Sequence, residues 1–227
     1  MSRVVVVTGG KRGIGAAISA HFAAAGDTVH ALSSADCDVT DEAAVSEVFA
    51  GIGDVDVLVN NAGVSDSAPV LRTTLDQWRT QIDVNATGAF LCSRAVLDGM
   101  LRRGTGRIVT VASVAGHLGS RYTAAYTASK HAASGFTRAL AAEVAGTPVT
   151  ANAVCPAYVR SDMTARTIEN IERRTGRDGE AALVAMSPLG RLVEPEEVAF
   201  AVAFLAAPEA GAINGQSLIL DGGGVQQ

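Results

Sequence analysis

The sequence predicts an α/β fold, a single doubly wound parallel sheet with helices on both faces. Three observations carry this reading. A β-branched run, Val4 to Val7, ends in a glycine-rich turn and passes directly into a stretch of helical composition. Short apolar segments then alternate with longer helical ones, the pattern of repeated βα units and therefore of parallel strands. Hydrophobic residues make up 48% of the 227 and charged residues 18%, a balance suited to strands buried on both faces. No linker divides the chain, so residues 1–227 read as one domain. Aromatics are only 4%, and packing must rely on alanine and glycine, which let elements approach closely.

The elements follow in order. After the first strand, Ala16 to Ala25 is helical and Gly26 stops it. Thr28 to Leu32 restarts a strand, Val45 to Phe49 lies in a short helix, and Val55 to Val59 is again an apolar strand. A helix is expected around Leu75 to Leu101, a strand at Ile108 to Val111, a helix from about Ala125 to Val144 and a strand at Thr150 to Val154. A helix near Pro195 to Ala206 and a last strand, Ser217 to Leu220, complete the series.

Composition also excludes. A net charge of −5 argues against a nucleic-acid partner, and Arg102-Arg103 before Gly104 reads as a solvated helix end. The opening Met1-Ser2-Arg3-Val4 lacks a signal-peptide core, and the longest apolar run, Ala199 to Ala207, is too short to span a bilayer. A cytoplasmic protein without membrane association is expected. Cys37, Cys92 and Cys155 have no Cys-x-x-Cys spacing, and His21, His30, His117 and His131 form no ligand pattern with them. Neither metal nor disulfide is expected.

Candidate chemistry gathers at two places. Tyr126 and Lys130 stand four apart on a helix and so share a face, where an ammonium can favour the ionised form of a phenol whose ordinary pKa is about 10. Tyr-x-x-x-Lys is common in helices. Here it follows Ser113, which the strand Arg107 to Val111 delivers to its carboxyl end, where open parallel sheets bind ligands. The second place is the first turn, Thr8 to Gly15, in which Gly9, Gly13 and Gly15 allow backbone to approach a pyrophosphate at a helix N-terminus.

Six elements in order, Thr8-Gly9-x-x-x-Gly13-x-Gly15, Asn60-Asn61-Ala62-Gly63, Asn85, Ser113, Tyr126-x-x-x-Lys130 and Pro156 with Ser161, resemble the short-chain dehydrogenase/reductase family from Val4 to about Gly223. The resemblance implies a Rossmann fold and carbonyl redox chemistry. It makes Tyr126 the general acid or base, Lys130 the group that lowers its pKa and holds the nicotinamide ribose, Ser113 the residue that orients the carbonyl, and Asn85 the holder of a water in a proton relay. The cofactor-binding set it implies is Gly9, Lys11, Arg12, Gly13, Ile14, Gly15, Ser33, Asp38, Val39, Asn61, Ala62, Gly63, Tyr126, Lys130, Pro156, Val159 and Ser161. Asp38 would contact adenine with Val39 nearby, and Ser161 would meet the nicotinamide carboxamide.

Two departures qualify the match. The usual helix and strand before the Asp-Val-Thr-Asp segment, Asp38 to Asp41, are missing, which shortens the connection from the second strand. Pro156-Ala157 stands where Pro-Gly is usual. Ser33 occupies the position at which NAD-binding relatives carry an acid, and Arg12 with Lys11 resembles the basic pair of NADP-binding ones, so NADP(H) is the expected cofactor. Asp36 leaves NAD(H) open, because in so short a connection its carboxylate could reach the ribose. Residues 160–190, with Arg166, Glu169, Glu172, Arg173, Arg174 and Arg177, would form a substrate lid or an exposed helix with internal ion pairs. In appearance the chain is most similar to 3-ketoacyl-thioester and polyketide ketoreductases, with a small ketone or alcohol as substrate and a homodimer or homotetramer as assembly. An NAD-dependent secondary-alcohol or hydroxyacyl dehydrogenase has the same residues. A noncatalytic nucleotide-sensing protein would be expected to have lost some of them.

Overall fold

The computed structural model describes residues 2–225. Six parallel strands form one sheet in the order β2-β1-β3-β4-β5-β6: β1 Val4–Thr8, β2 Thr28–Leu32, β3 Val57–Asn60, β4 Gly106–Val111, β5 Val149–Pro156 and β6 Ser217–Leu220. From β1 the chain steps outward to β2, then returns past β1 to β3 on the other side. The switch point therefore lies at the carboxyl ends of β1 and β3, the crevice where such sheets take ligands.

Period-two alternation divides the core between the two faces. Val5 and Val7 pack under helices α1, Gly13–Ala24, and α8, Pro195–Leu205, with Ile18, Phe22 and Val202. Val6, Leu58 and Ile108 face α2, Glu42–Ile52, α4, Gly88–Arg103, and α5, Ala124–Glu143, with Phe49, Leu91 and Leu140. The scarcity of aromatics has its expected consequence at Gly106. A Cβ there would collide with the Met100 side chain, so α4 lies close on the sheet because the strand residue is glycine.

Three local features depart from the sequence expectation or refine it. The single helix expected around Leu75 to Leu101 is broken into α3, Leu75–Ile82, a π-helical segment, Asp83–Thr87, and α4. Thr74 and Gln77 close a capping box at the start of α3. The π segment turns Asn85 inward, and Gly88 after it presses so closely on Val39 that a Cβ would stand 2.7 Å from its Cγ2. Secondly, the chain from Leu32 to α2 contains no helix or strand, as expected, which leaves β2 as the edge of the sheet. Asp41 caps α2 by accepting from the Ala43 and Ala44 N–H groups at 2.8 and 3.2 Å.

Thirdly, residues 160–190, expected as a lid or an exposed helix, form two helices, α6 Asp162–Thr175 and α7 Gly179–Val184. Gly176, with a φ of +66°, ends α6 in the left-handed conformation that glycine adopts readily. Gly179 sits against the backbone of Ile168, at 2.5 Å from its carbonyl oxygen for an added Cβ, so the second helix folds back on the first. Among the described residues, no helix is long and apolar enough to cross a membrane, and no group of three His, Cys, Asp or Glu side chains could hold a metal ion.

Candidate active site

The nucleotide turn leaves β1 at Thr8, which lies level with Leu32 on β2, while Val7 pairs with Val59 on β3. Thr8 Oγ1 accepts from the Asn61 and Ala62 N–H groups at 3.1 and 3.0 Å. Both donors of the Asn61 amide go to the Thr8 and Gly9 carbonyls, at 2.9 and 3.1 Å. Asn61 therefore shapes the turn with its side chain, and Ala62 backs it. Gly9, with a φ of +64°, and Gly15 interlock: a Cβ on Gly15 would run into the Gly9 carbonyl oxygen. Helix α1 then starts after Arg12 with no side-chain cap and no acidic residue in its first turn. Among the described residues, its leading N–H groups have no side-chain acceptor and the exposed Arg12 has no ion pair. These residues fit a dinucleotide pyrophosphate. Ile14 packs on the core beside them, and Gly13 lies opposite Ser161, 3.7 Å from its Cβ for an added Cβ.

On the adenosine side the two open readings of the sequence meet in one cluster. Asp36 folds back so that its Oδ2 accepts from the Ser33 N–H at 2.7 Å and from the Ser33 hydroxyl at 2.5 Å. Lys11 Nζ joins the same oxygen at 2.7 Å. Lys11 and Ser33 together hold the Asp36 carboxyl well below the usual carboxylate range. Asp38 accepts from the Thr40 N–H and hydroxyl at 2.9 and 2.8 Å and remains exposed. Val39 is buried against Gly88, so its side chain belongs mainly to the core.

The second half of the site lies at the carboxyl ends of β4 and β5. Ser113 follows β4, is buried, and accepts from the Ala115 N–H at 3.1 Å. Its hydroxyl also lies 3.4 Å from the Pro156 carbonyl. Burial raises the Tyr126 phenol above its ordinary value, and a hydrogen bond with Ser113 draws it back. Lys130 Nζ donates to the Val111 carbonyl at 3.0 Å and stands 5.8 Å from the centre of the Tyr126 ring. The hydrogen bond that opposes the rise in the phenol pKa comes from Ser113, and Lys130 Nζ stands beside the same ring. Burial pushes the Lys130 ammonium down to about 8.

Asn85 is held by the π segment. Its Oδ1 accepts from the Val64 N–H at 2.8 Å, and its Nδ2 donates to the Val64 carbonyl and to Ser129 Oγ, both at 2.9 Å. Ser129 in turn donates to the Tyr126 carbonyl at 2.8 Å, so it ties Asn85 to the helix that carries Tyr126 and Lys130. Sequence reasoning missed Ser129; its only signal was a small polar residue next to Lys130 on the helix of Tyr126. A Cβ on Gly63 would stand 3.2 Å from Asn85 Oδ1 and 3.7 Å from Lys130 Nζ. Glycine at 63 thus keeps open the space between these two polar groups.

Beyond β5 the chain runs through residues 157–161 to α6. Residues 158–160 are stitched to the chain before α8: Val193 N–H donates to the Tyr158 carbonyl at 2.9 Å and Arg160 N–H to the Val193 carbonyl at 2.9 Å. Val159 is buried by this pairing. The Ala157 N–H bonds the Leu220 carbonyl at 3.0 Å, so alanine in place of the expected glycine keeps a regular backbone here. Ser161 caps α6 by accepting from the Thr164 N–H at 3.3 Å. Arg173 and Arg174 on α6 and Arg177 just beyond it are all exposed, and Arg173 also bonds Asn170 within the helix.

Comparison with known proteins agrees with this geometry. A family model described as Enoyl-(Acyl carrier protein) reductase matches residues 30–224. The chain is 39% identical to acetoacetyl-CoA reductase of Shinella zoogloeoides, with 98% of each covered. It is 37% identical to 3-oxoacyl-(acyl-carrier-protein) reductase FabG of Vibrio cholerae, with 97% of this chain and 96% of that protein covered. Among solved structures, a variant of actinorhodin polyketide ketoreductase with NADPH superimposes with a TM-score of 0.91 at 35% identity, over 98% of this chain and 97% of that one.

Proposed function

The chain belongs to the short-chain dehydrogenase/reductase family and is an oxidoreductase; from that premise we propose that it reduces the ketone of a 3-ketoacyl thioester, or a polyketide-like ketone, with NADPH. The observation that carries the reading is the convergence of Ser113, Tyr126 and Lys130 at the end of β4, with only β3 between it and the strand that ends in the nucleotide turn. Two relatives act, by name, on acetoacetyl-CoA and on 3-oxoacyl carrier protein, and a structural neighbour was solved with NADPH.

NADPH would be held by the Gly9 to Gly15 turn, with Lys130 at the ribose and Ser161 at the carboxamide, and would supply the hydride. Everything else falls to the protein. Ser113 donates a hydrogen bond to the carbonyl oxygen and fixes its position. Tyr126 gives its phenolic proton to that oxygen as the alkoxide develops, forming the new O–H bond and leaving a phenolate. Because burial raises the phenol pKa, the protonated form needed for reduction is fully populated at neutral pH. The Lys130 ammonium stabilises the phenolate charge, and the space beside Gly63, between Lys130 and Asn85, is the route for the replacement proton. Tyr158 and α6 cover the acyl group, while the exposed Arg174 and Arg177 offer charge to a carrier's phosphate.

The test is a screen of purified protein with NADPH and NADH against short 3-ketoacyl thioesters, cyclic ketones, aldehydes and sugars. A thioester or cyclic ketone should be the best substrate. Tyr126→Phe should lower kcat by at least ~10²-fold while leaving the Kd for NADPH within about twofold. Retention of most activity in that variant would defeat the proton-donor role. Oxidation of free secondary alcohols with NAD as the only activity would establish the dehydrogenase reading, which the Asp36 carboxylate at Ser33 favours.

A further inference from the structure

Lys11 and Ser33 lie on different strands' ends and meet because of the parallel register. Thr8 pairs with Leu32, and the Gly10 N–H donates to the Leu32 carbonyl at 2.8 Å, so the residues that follow β1 and β2 emerge side by side. After Ser33 the shortened connection turns at once: the Asp36 and Cys37 N–H groups both donate to the Ser33 carbonyl at 3.0 Å. That turn aims the Asp36 carboxylate back at Ser33. Its Oδ2 collects three donors, the Ser33 N–H, the Ser33 hydroxyl and Lys11 Nζ, and its Oδ1 lies 2.9 Å from the same ammonium.

A backbone N–H, a hydroxyl and an ammonium converging on one oxygen make an anion position, equally suited to a phosphate oxygen. We infer that the Asp36 carboxylate is a built-in competitor for the 2′-phosphate of NADPH, occupying the anion position of Lys11 and Ser33 that the phosphate requires, and that this competition sets the cofactor preference of the chain. The inference rests on the NADPH reading above and concerns how strongly that cofactor is preferred.

The exchange is physically easy. The Lys11 and Asp36 side chains are 52% and 37% exposed, and exposed ion pairs are weak and screened by salt. A dianionic phosphate can therefore displace the monoanionic carboxylate, with the exposed Arg12 as a further cation on the same turn. Lys11 and Ser33 hold the Asp36 carboxyl below the usual carboxylate range, so the carboxylate is ionised at neutral pH, where the two anions compete. NADH, without the phosphate, has no need of this position.

Calorimetric titration of the full chain with NADPH and with NADH decides the matter, using wild type, Asp36→Asn, Asp36→Ala and Lys11→Gln, each checked for unaltered thermal unfolding without cofactor. Both Asp36 variants should tighten NADPH by roughly five- to tenfold, an effect that shrinks at high salt, and leave NADH within about twofold. Lys11→Gln should weaken NADPH selectively. If Asp36→Asn weakens NADH and leaves NADPH unchanged, the carboxylate is a ribose ligand and the inference falls. Equal effects on both cofactors would reduce Asp36 to a turn residue and also overturn it. Should wild type bind NADH more tightly while both Asp36 variants still gain only for NADPH, the competition stands and the NADPH preference alone is lost.

Discussion

At Lys130 the requirements of chemistry and of stability oppose each other. The side chain is buried, its ammonium bonds only the Val111 carbonyl among the described residues, and desolvation lowers its pKa from 10.5 to about 8. Between those two values the unfolded chain binds more protons than the folded one, so folding becomes more favourable as pH rises from about 8 towards 10.5. Below 8 the full cost of burying the charge remains, on the order of 3 kcal/mol. Replacing Lys130 with Met removes that cost and loses one hydrogen bond worth about 1 kcal/mol. Lys130→Met should therefore be more stable than wild type by about 2 kcal/mol at pH 7, with the gain fading by pH 10, and should be inactive. Denaturant unfolding across that range checks it, and a variant less stable at pH 7 would show that the ammonium is satisfied in the folded protein.

At the scale of elements, the β1 turn and α1 are one device. Gly15, the third residue of α1, packs on the Gly9 carbonyl and within 2.5 Å of Asn61 Nδ2 for an added Cβ, and Asn61 is itself bonded to both Thr8 and Gly9. Neither neighbour is the loose end of a flexible side chain. Gly15→Ala should therefore cost about 1–3 kcal/mol in stability and weaken both NADPH and NADH more than tenfold, because moving the Gly9 peptide disturbs the backbone that meets the pyrophosphate. Calorimetry with both cofactors measures it; near-normal binding would place the dinucleotide elsewhere. The same local logic explains why the π segment matters. One extra residue in the turn before α4 is what lets Asn85 reach the Val64 backbone and Ser129 together.

Over the whole molecule, both faces of the sheet carry exposed aromatic groups. Phe90 on α4 is 41% exposed, lies edge-on to Phe136 of α5 at 5.9 Å and has the Arg94 guanidinium over it at 5.1 Å. On the opposite face Phe200 and Phe204 of α8 are exposed. Such patches on a folded protein mark association surfaces, and we propose that α4 and α5 pair across a two-fold axis. Sedimentation at micromolar concentration should give a dimer or tetramer for wild type and a smaller species for Phe90→Arg with unchanged circular dichroism; a monomeric wild type would end the proposal. Ser113 was set beside Tyr126 and Lys130 only by the order of motifs in the resemblance; the strand and helix order and the two-faced core were legible in the sequence itself. They depend on apolar periodicity and on spacings within one helix or one strand end, which are local properties. Tertiary structure alone decided the contacts that join elements distant in the chain. It set Ser113 against the Tyr126 phenol, linked Asn85 through Ser129 to the helix of Tyr126, and brought Lys11 onto Asp36. Each of these depends on how strand register and a crossover bring two ends of the sheet together, and composition along a single segment contains no measure of that distance.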